Sequence, residues 1–263
     1  MRFAESGAPA EKEAWRAAVS SCTVTSMGFR RSAADKWLAT IYPRRCALCE
    51  TLCDGAGSCM DLCEGCAEDL PVNDTKCLIC GQPLSKIEIA CGNCQKKRPP
   101  VDMTVAPYHY RFPADQLILQ LKFGRKLCCA NVMAELIVRQ SRSELSDLDL
   151  IVPVPLHAIR HFRRSFNQAE EIARCLARRM DVPIDSGRLR RCRRTREQSR
   201  LSRAERGANV AGAFRVLRPL ASNPHVGLVD DVITTGATIG AAARQLFAAG
   251  AGRVTAIAFA RAG

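Results

Sequence analysis

Two groups of residues in this 263-residue chain carry chemistry by type and spacing. The first is four C-x-x-C pairs: Cys46/Cys49, Cys63/Cys66, Cys77/Cys80 and Cys91/Cys94. A two-residue gap lets one tight turn supply two thiolates, and two such turns complete the tetrahedron of soft ligands that Zn²⁺ prefers. Consecutive pairs therefore predict two tetrathiolate sites, with cross-braced pairing as the alternative that the same spacing allows. Four protein thiolates leave no open coordination position, so sites of this kind are structural. Cys53 and Cys59 lie inside the first unit as substitute ligands, whereas Cys22, Cys128, Cys129, Cys175 and Cys192 read as buried or incidental thiols.

The second group is the stretch VGLVDDVITTGAT at residues 226–238. Residues 226–229 predict a short buried strand, because a continuous apolar run with β-branched residues suits a parallel sheet covered on both faces. Asp230 and Asp231 then fall at its carboxyl end, the edge at which open parallel sheets bind ligands. Thr234, Thr235, Gly236, Ala237 and Thr238 predict a tight turn into a helix. Such a turn presents backbone N–H groups, hydroxyls and the positive end of a helix dipole to a phosphate. The two carboxylates would meet what is attached to that phosphate, and the vicinal hydroxyls of a ribose are suitable donors to them. A plain strand-to-helix loop with a solvated Asp pair is the alternative; apolar strand, paired Asp and hydroxyl-rich turn together are more specific.

The elements that must position these residues divide near residue 100. Before it come the cysteine pairs with irregular connections; after it helical and strand patterns alternate, and Lys96, Lys97, Arg98, Pro99 and Pro100 mark the joint. TVAPYHY from Thr104 reads as a strand, PADQLILQLKFG as a helix from Pro113 to Gly124, and CCANVMAELIVRQ as a second helix. DLIVPVP from Asp149 reads as a buried strand, and NQAEEIARCLARRM as a helix with Ala169, Ile172, Ala173 and Leu176 on its apolar face. Strands around 189–192 and 213–216, the strand at 226–229, a helix from about 238 to 249 and a last strand RVTAIAFA complete the pattern. Alternation of this kind implies α/β architecture, a parallel sheet with helices on both faces.

Composition bounds the rest. An apolar content of 47% is that of a globular protein, and no apolar run reaches the roughly 18 residues of a membrane span. The first residues carry Glu5, Glu11 and Glu13 with no apolar core, unlike a secretory signal. Fifteen cysteines concentrated as C-x-x-C pairs fit thiolate ligation in a reducing compartment, which predicts a cytoplasmic protein. Residues 1–30 are expected to be a disordered extension with Met27 as a plausible start, and Ala34, Trp37, Leu38 and Ile41 predict a short amphipathic helix ahead of the first cysteine.

VGLVDDVITTGAT resembles the phosphoribosyl pyrophosphate (PRPP) signature of type I phosphoribosyltransferases. The wider pattern, about residues 37–261, is similar to the ComF family, in which cysteine knuckles precede such a domain. The blocks that carry the resemblance are the knuckles, VPVPLH, RRSFNQA, RTREQSRLSRAERGANVAGAF and the Asp-Asp stretch. One departure is Ser165, where many relatives have glycine. The domain expectation is then the extension at 1–30, a helix plus double zinc ribbon at 31–100 and, as the resemblance implies, a phosphoribosyltransferase-like domain at 101–263. It implies further that Asp230 and Asp231 hold the ribose hydroxyls, that residues 234–238 cradle the 5-phosphate, and that Val154, Pro155 and Leu156 form the pyrophosphate loop. Arg160, Arg163 and Arg164 follow that loop, and guanidinium groups bind phosphate oxygens through paired N–H donors. Mg²⁺ is expected with PRPP, held mainly by substrate oxygens and water.

Residues 188–206 hold nine arginines, and within them Thr195, Gln198 and Arg206 resemble the mobile lid that closes over PRPP in related transferases. A solvated basic loop is the plain alternative, and a nucleic-acid track is a third. The net charge of +13 attracts phosphate backbones of any sequence, and the ComF resemblance implies uptake of single-stranded DNA alongside a helicase-like partner. Aromatic residues are only 5% of the chain, which argues against a dedicated stacking groove and predicts weak, salt-dependent DNA binding. Two functions are therefore carried forward. One is phosphoribosyl transfer from PRPP to an amine or base; the other is DNA handling with PRPP as effector or vestigial ligand.

Overall fold

The cysteine pairs shape short irregular segments, and the apolar runs after them assemble a parallel sheet. In a computed structural model, residues 44–53, 61–86, 88–156, 166–192 and 212–263 are described. The expected extension and first helix, Cys59, Arg160, Arg163, Arg164, Thr195, Gln198 and Arg206 lie outside them. In chain order the elements are α1 (Glu64–Glu68), α2 (Gly92–Lys96), β1 (Met103–Val105), β2 (Tyr108–His109), α3 (Ala114–Lys122), α4 (Cys128–Ser141), β3 (Leu150–Pro153), α5 (Gln168–Met180), β4 (Leu189–Arg191), β5 (Phe214–Val216), β6 (His225–Ile233), α6 (Ala237–Ala248) and β7 (Arg253–Arg261).

The main sheet runs β1-β7-β6-β3, with β2 continuing beside β7 beyond the end of β1, and every pairing is parallel. Every residue of β7 after Arg253 is buried, as a central strand covered on both faces requires. One face packs α3, α4 and α5 through Leu117, Ile118, Leu121, Ile137, Ile172 and Leu176. The other packs α6 through Ile239, Ala242, Ala243 and Leu246 against Leu228, Val254, Ala256 and Ala258, where alanines let helix and sheet approach closely. This is the α/β arrangement that the alternating pattern predicts.

Three details differ from the sequence reading. The expected strand from Thr104 to Tyr110 breaks into β1 and β2 at Ala106 and Pro107, since proline has no N–H to continue a ladder. The segments around 189 and 214 pair antiparallel as a separate β4-β5 ribbon and do not enter the parallel sheet. The strand expected at 226–229 runs on to Ile233, because β7 is long enough to keep pairing with it as far as Arg261. Asp230 and Asp231 therefore lie within a paired strand and inherit its fixed backbone.

Residues 44–263 form one compact unit. Cys46, Ala47, Leu62 and Leu70 from the first half of the cysteine-rich segment share the core that includes Leu117 and Ile137. The second half has its own small core of Cys77, Ile79, Cys91 and Cys94, joined by Leu84 and Ala90. Among the described residues no helix is long and apolar enough to cross a membrane.

Candidate functional site

Both cysteine sites are built by one repeated turn. Cys46 N donates to Thr51 O, Glu50 N to Cys46 O and Cys53 N to Arg44 O; the same bonds recur as Cys77 N to Gln82 O, Gly81 N to Cys77 O and Leu84 N to Thr75 O. Each turn sets two sulfurs side by side. The other two come from a helix start: Cys63 and Cys91 are the extended N-caps of α1 and α2, and Cys66 and Cys94 follow in the first turn. The sulfurs of Cys46, Cys49, Cys63 and Cys66 lie within 4.8 Å of one another, and so do those of Cys77, Cys80, Cys91 and Cys94.

The Cys49–Cys63 and Cys80–Cys91 sulfur separations are 3.7 and 3.8 Å. A tetrahedron of sulfurs about Zn²⁺, with bonds of about 2.3 Å, has an edge of roughly 3.8 Å. Consecutive pairing is thus the arrangement the fold brings together, and Cys53 belongs to neither cluster. In the second site Cys91 N also donates to Cys77 Sγ at 3.2 Å, a bond that favours the thiolate form zinc requires. These eight cysteines would hold zinc as cross-links between turns and helix starts, with no position left for a substrate.

At the carboxyl ends of β3 and β6 a cavity of about 360 Å³ opens. Its floor carries Asp230 and Asp231, and its two sides are Val154, Pro155 and Leu156 after β3 and Thr234, Gly236, Ala237 and Thr238 after β6. Gly236 caps α6 with φ of 74°, a left-handed conformation that glycine adopts without cost. Thr235 faces inward on the turn itself, accepting Ala237 N at 3.4 Å. The turn and the twelve-residue α6 behind it place backbone N–H groups and a positive dipole end at the cavity, the requirements for an anion.

The two carboxylates have different surroundings. Asp231 accepts Val232 N at 2.8 Å through one oxygen and faces Lys122 Nζ at 2.6 Å through the other. Asp230 accepts Asp231 N at 2.9 Å. Burial pushes the Asp230 carboxyl up to about 7, and the neighbouring charge of Asp231 adds to the rise. Asp231 is thus paired with an ammonium group, while desolvation and the adjacent carboxylate raise the Asp230 carboxyl.

The structure brings together the Asp pair, Thr234, Gly236, Ala237 and Thr238 of the turn, and residues 154–156, of which only the last are expected from resemblance alone. It adds Lys122, Asn167, Gln168, Arg191 and Tyr110 to the same cavity. Asn167 Nδ2 donates to Val154 O at 3.1 Å and so fixes the loop after β3. Asn167 Oδ1 and Gln168 Nε2 are buried with no hydrogen-bond partner among the described residues. Arg191 lies over the Phe214 ring, 5.3 Å from its centroid. Asn167 and Gln168 were visible in the RRSFNQA block, but Lys122 carried no signal beyond that of a cation ending a helix, which the helix dipole already explains.

Comparison with known proteins agrees with this layout. Residues 37–95 match the double zinc ribbon domain. The chain is 35% identical over 198 residues to the DNA utilization protein YhgH of Escherichia coli, covering 73% of this chain and 87% of that protein. It is 35% identical over 185 residues to competence protein F of Haemophilus influenzae, covering 68% and 80%. With competence protein ComFC of Bacillus subtilis it shares 28% over 181 residues, covering 66% and 72%. A cysteine ribbon, a parallel sheet with an Asp-Asp edge and extended similarity to competence proteins coincide in one molecule, and the chain belongs to the ComF family.

Proposed function

We propose that this protein binds PRPP with Mg²⁺ in the cavity at the carboxyl edge and transfers its phosphoribosyl group to an amine or base. The observation that carries this reading is the cavity itself: an Asp pair, an anion-suited helix start and a second turn after β3 face one another across it. In this reading Asp230 and Asp231 accept from the ribose hydroxyls, and the N–H groups and hydroxyls of 234–238 hold the 5-phosphate. The 154–156 turn, with Arg160, Arg163 and Arg164 after it, receives the pyrophosphate, whose oxygens carry Mg²⁺. Transfer breaks the bond from ribose C1 to pyrophosphate and forms one to the acceptor, while a lid holding Thr195, Gln198 and Arg206 excludes water from the electron-poor C1. The cysteine-rich 31–100 segment and the 101–263 segment act as two domains sharing one core, in the cytoplasm, where thiolates stay reduced.

Single-stranded DNA handling is the second reading, with PRPP as an effector and a helicase-like protein as partner. The relatives named for DNA utilization and competence, together with the charge of +13, favour it. Calorimetry with PRPP and Mg²⁺ tests the first reading. Binding that is lost in the D230N/D231N variant, and pyrophosphate release with a panel of bases and amines, are the expected results; equal affinity in wild type and variant would remove the proposal. Arg206→Ala separates the two readings. Impaired PRPP use points to a lid, whereas a DNA affinity whose salt slope falls by roughly one unit points to a nucleic-acid track.

A further inference from the structure

Four consecutive carbonyls in the turn after Cys77 are each taken by a donor from outside that turn. Leu78 O accepts Thr104 N at 3.0 Å, Ile79 O accepts Thr104 Oγ1 at 2.7 Å, Cys80 O accepts Arg261 Nε at 3.0 Å, and Gly81 O accepts Asn73 Nδ2 at 3.0 Å. The guanidinium of Arg261, 5% exposed at the end of β7, also donates to Gln82 Oε1 at 3.0 Å. Its third nitrogen turns the other way, to Ile233 O at 3.0 Å and to Thr234 O. One rigid, permanently charged fork thus touches a zinc-ligand backbone on one side and the first carbonyls of the ligand turn on the other.

We propose that Arg261 is a positioning residue through which metal at Cys77, Cys80, Cys91 and Cys94 sets the conformation of the turn at 234–238. The physical reason is that a buried guanidinium must keep its donors satisfied, so its orientation follows the carbonyls around it. Metal fixes Cys80 and with it the Cys80 carbonyl; loss of metal relaxes the turn, since the site and its fold form together. The fork then loses the partners on that side and its hold on Thr234 O, while Ile233 O keeps the backbone bond from Ala262 N at 2.9 Å. No hydrogen bond described for the first cysteine turn reaches the cavity; its attachment runs through Cys46, Ala47 and Leu62 and through an exposed Glu50–Lys126 pair at 3.4 Å. The two metals therefore act differently: the second one tunes the cavity.

Amide hydrogen exchange of the zinc-loaded full chain, read on peptides covering 233–238, tests this, with Cys94→Ser, Cys66→Ser, Arg261→Gln and Arg261→Lys as variants. Cys94→Ser, Arg261→Gln and Arg261→Lys are expected to speed exchange of the turn by about tenfold or more while the centres of β6 and β7 stay protected. Cys66→Ser is expected to leave the turn at its wild-type rate. The consequence for the ligand rests on the PRPP reading: the first three variants should lose about tenfold in PRPP affinity, as coupling between two sites requires. Wild-type protein that binds no PRPP defeats that reading and leaves the exchange pattern to decide the coupling. A turn that stays protected in Arg261→Gln with its zinc retained overturns the proposal. So does a turn that opens equally in Cys66→Ser and Cys94→Ser, a comparison that stands even if the Arg261 variants fail to fold.

Discussion

The ribbon and the cavity solve opposite problems. In the ribbon each site draws its ligands from residues close in sequence, and each local choice lowers the energy: paired turns satisfy their own backbone, and the sulfurs sit where a metal links them. In the cavity residues from α3, α5, β4, β6 and the loop after β3 converge, and not every one is placed favourably. Asp230 is half-buried beside another carboxylate, which raises its carboxyl above the usual range. A region that stabilises the fold and a region the fold must hold in place should respond to substitution in opposite ways.

The strongest way to break this comparison is to remove the metals. Chelation under reducing conditions is expected to unfold residues 44–96, because structural thiolate sites contribute folding energy outright, while the β6 and β7 centres keep their exchange protection. Collapse of both regions together would mean that the shared core around Cys46 and Leu62 binds them into one cooperative unit.

Core truncation comes next. Leu62 is 2% exposed within the large core, and Leu62→Ala should cost about 2–4 kcal/mol in denaturant unfolding. Ile79, 5% exposed in the small second core, should cost about 1–2 kcal/mol less when cut to alanine, since fewer neighbours surround the hole. Equal losses would show that the second half of the ribbon is packed as firmly as the first.

In the cavity, Gly236→Ala should cost only roughly 1–2 kcal/mol of stability, because its φ of 74° disfavours an L residue while no atom beyond its chain neighbours lies within 4 Å of the added Cβ. Its effect on PRPP affinity should be larger than its effect on the fold, measured by calorimetry beside thermal unfolding. A fold loss exceeding the binding loss would place Gly236 with the ribbon residues, as a stabiliser.

One effect has the opposite sign. The Asp230 carboxyl titrates near 7 when folded and near 4 when unfolded, so its contribution is fully present below about pH 4 and is lost as pH rises toward 7. Asp230→Asn removes that loss. Variant and wild type should be equally sensitive to denaturant near pH 4, with the variant the more stable at pH 8. A variant less stable at pH 8 would mean that Asp230 supports the fold.

The sequence by itself determined whatever is encoded locally. The spacing of eight cysteines specified two metal sites, because a C-x-x-C turn needs only its own residues to set two sulfurs together. Apolar runs and helical periodicity specified the α/β order, and the Asp-Asp-Val-Ile-Thr-Thr-Gly block specified the anion-suited turn. Tertiary structure alone decided which distant residues join them. Lys122 meets Asp231 because α3 packs across the sheet with its last turn at the carboxyl edge, and Arg191 arrives on a separate antiparallel ribbon. Arg261 links the second cysteine turn to the turn at 234–238 because β7 ends between them. A single Lys at a helix end or Arg at a strand end has no periodicity and no spacing partner, and its role is set by what the folded chain places within about 3 Å of its nitrogens.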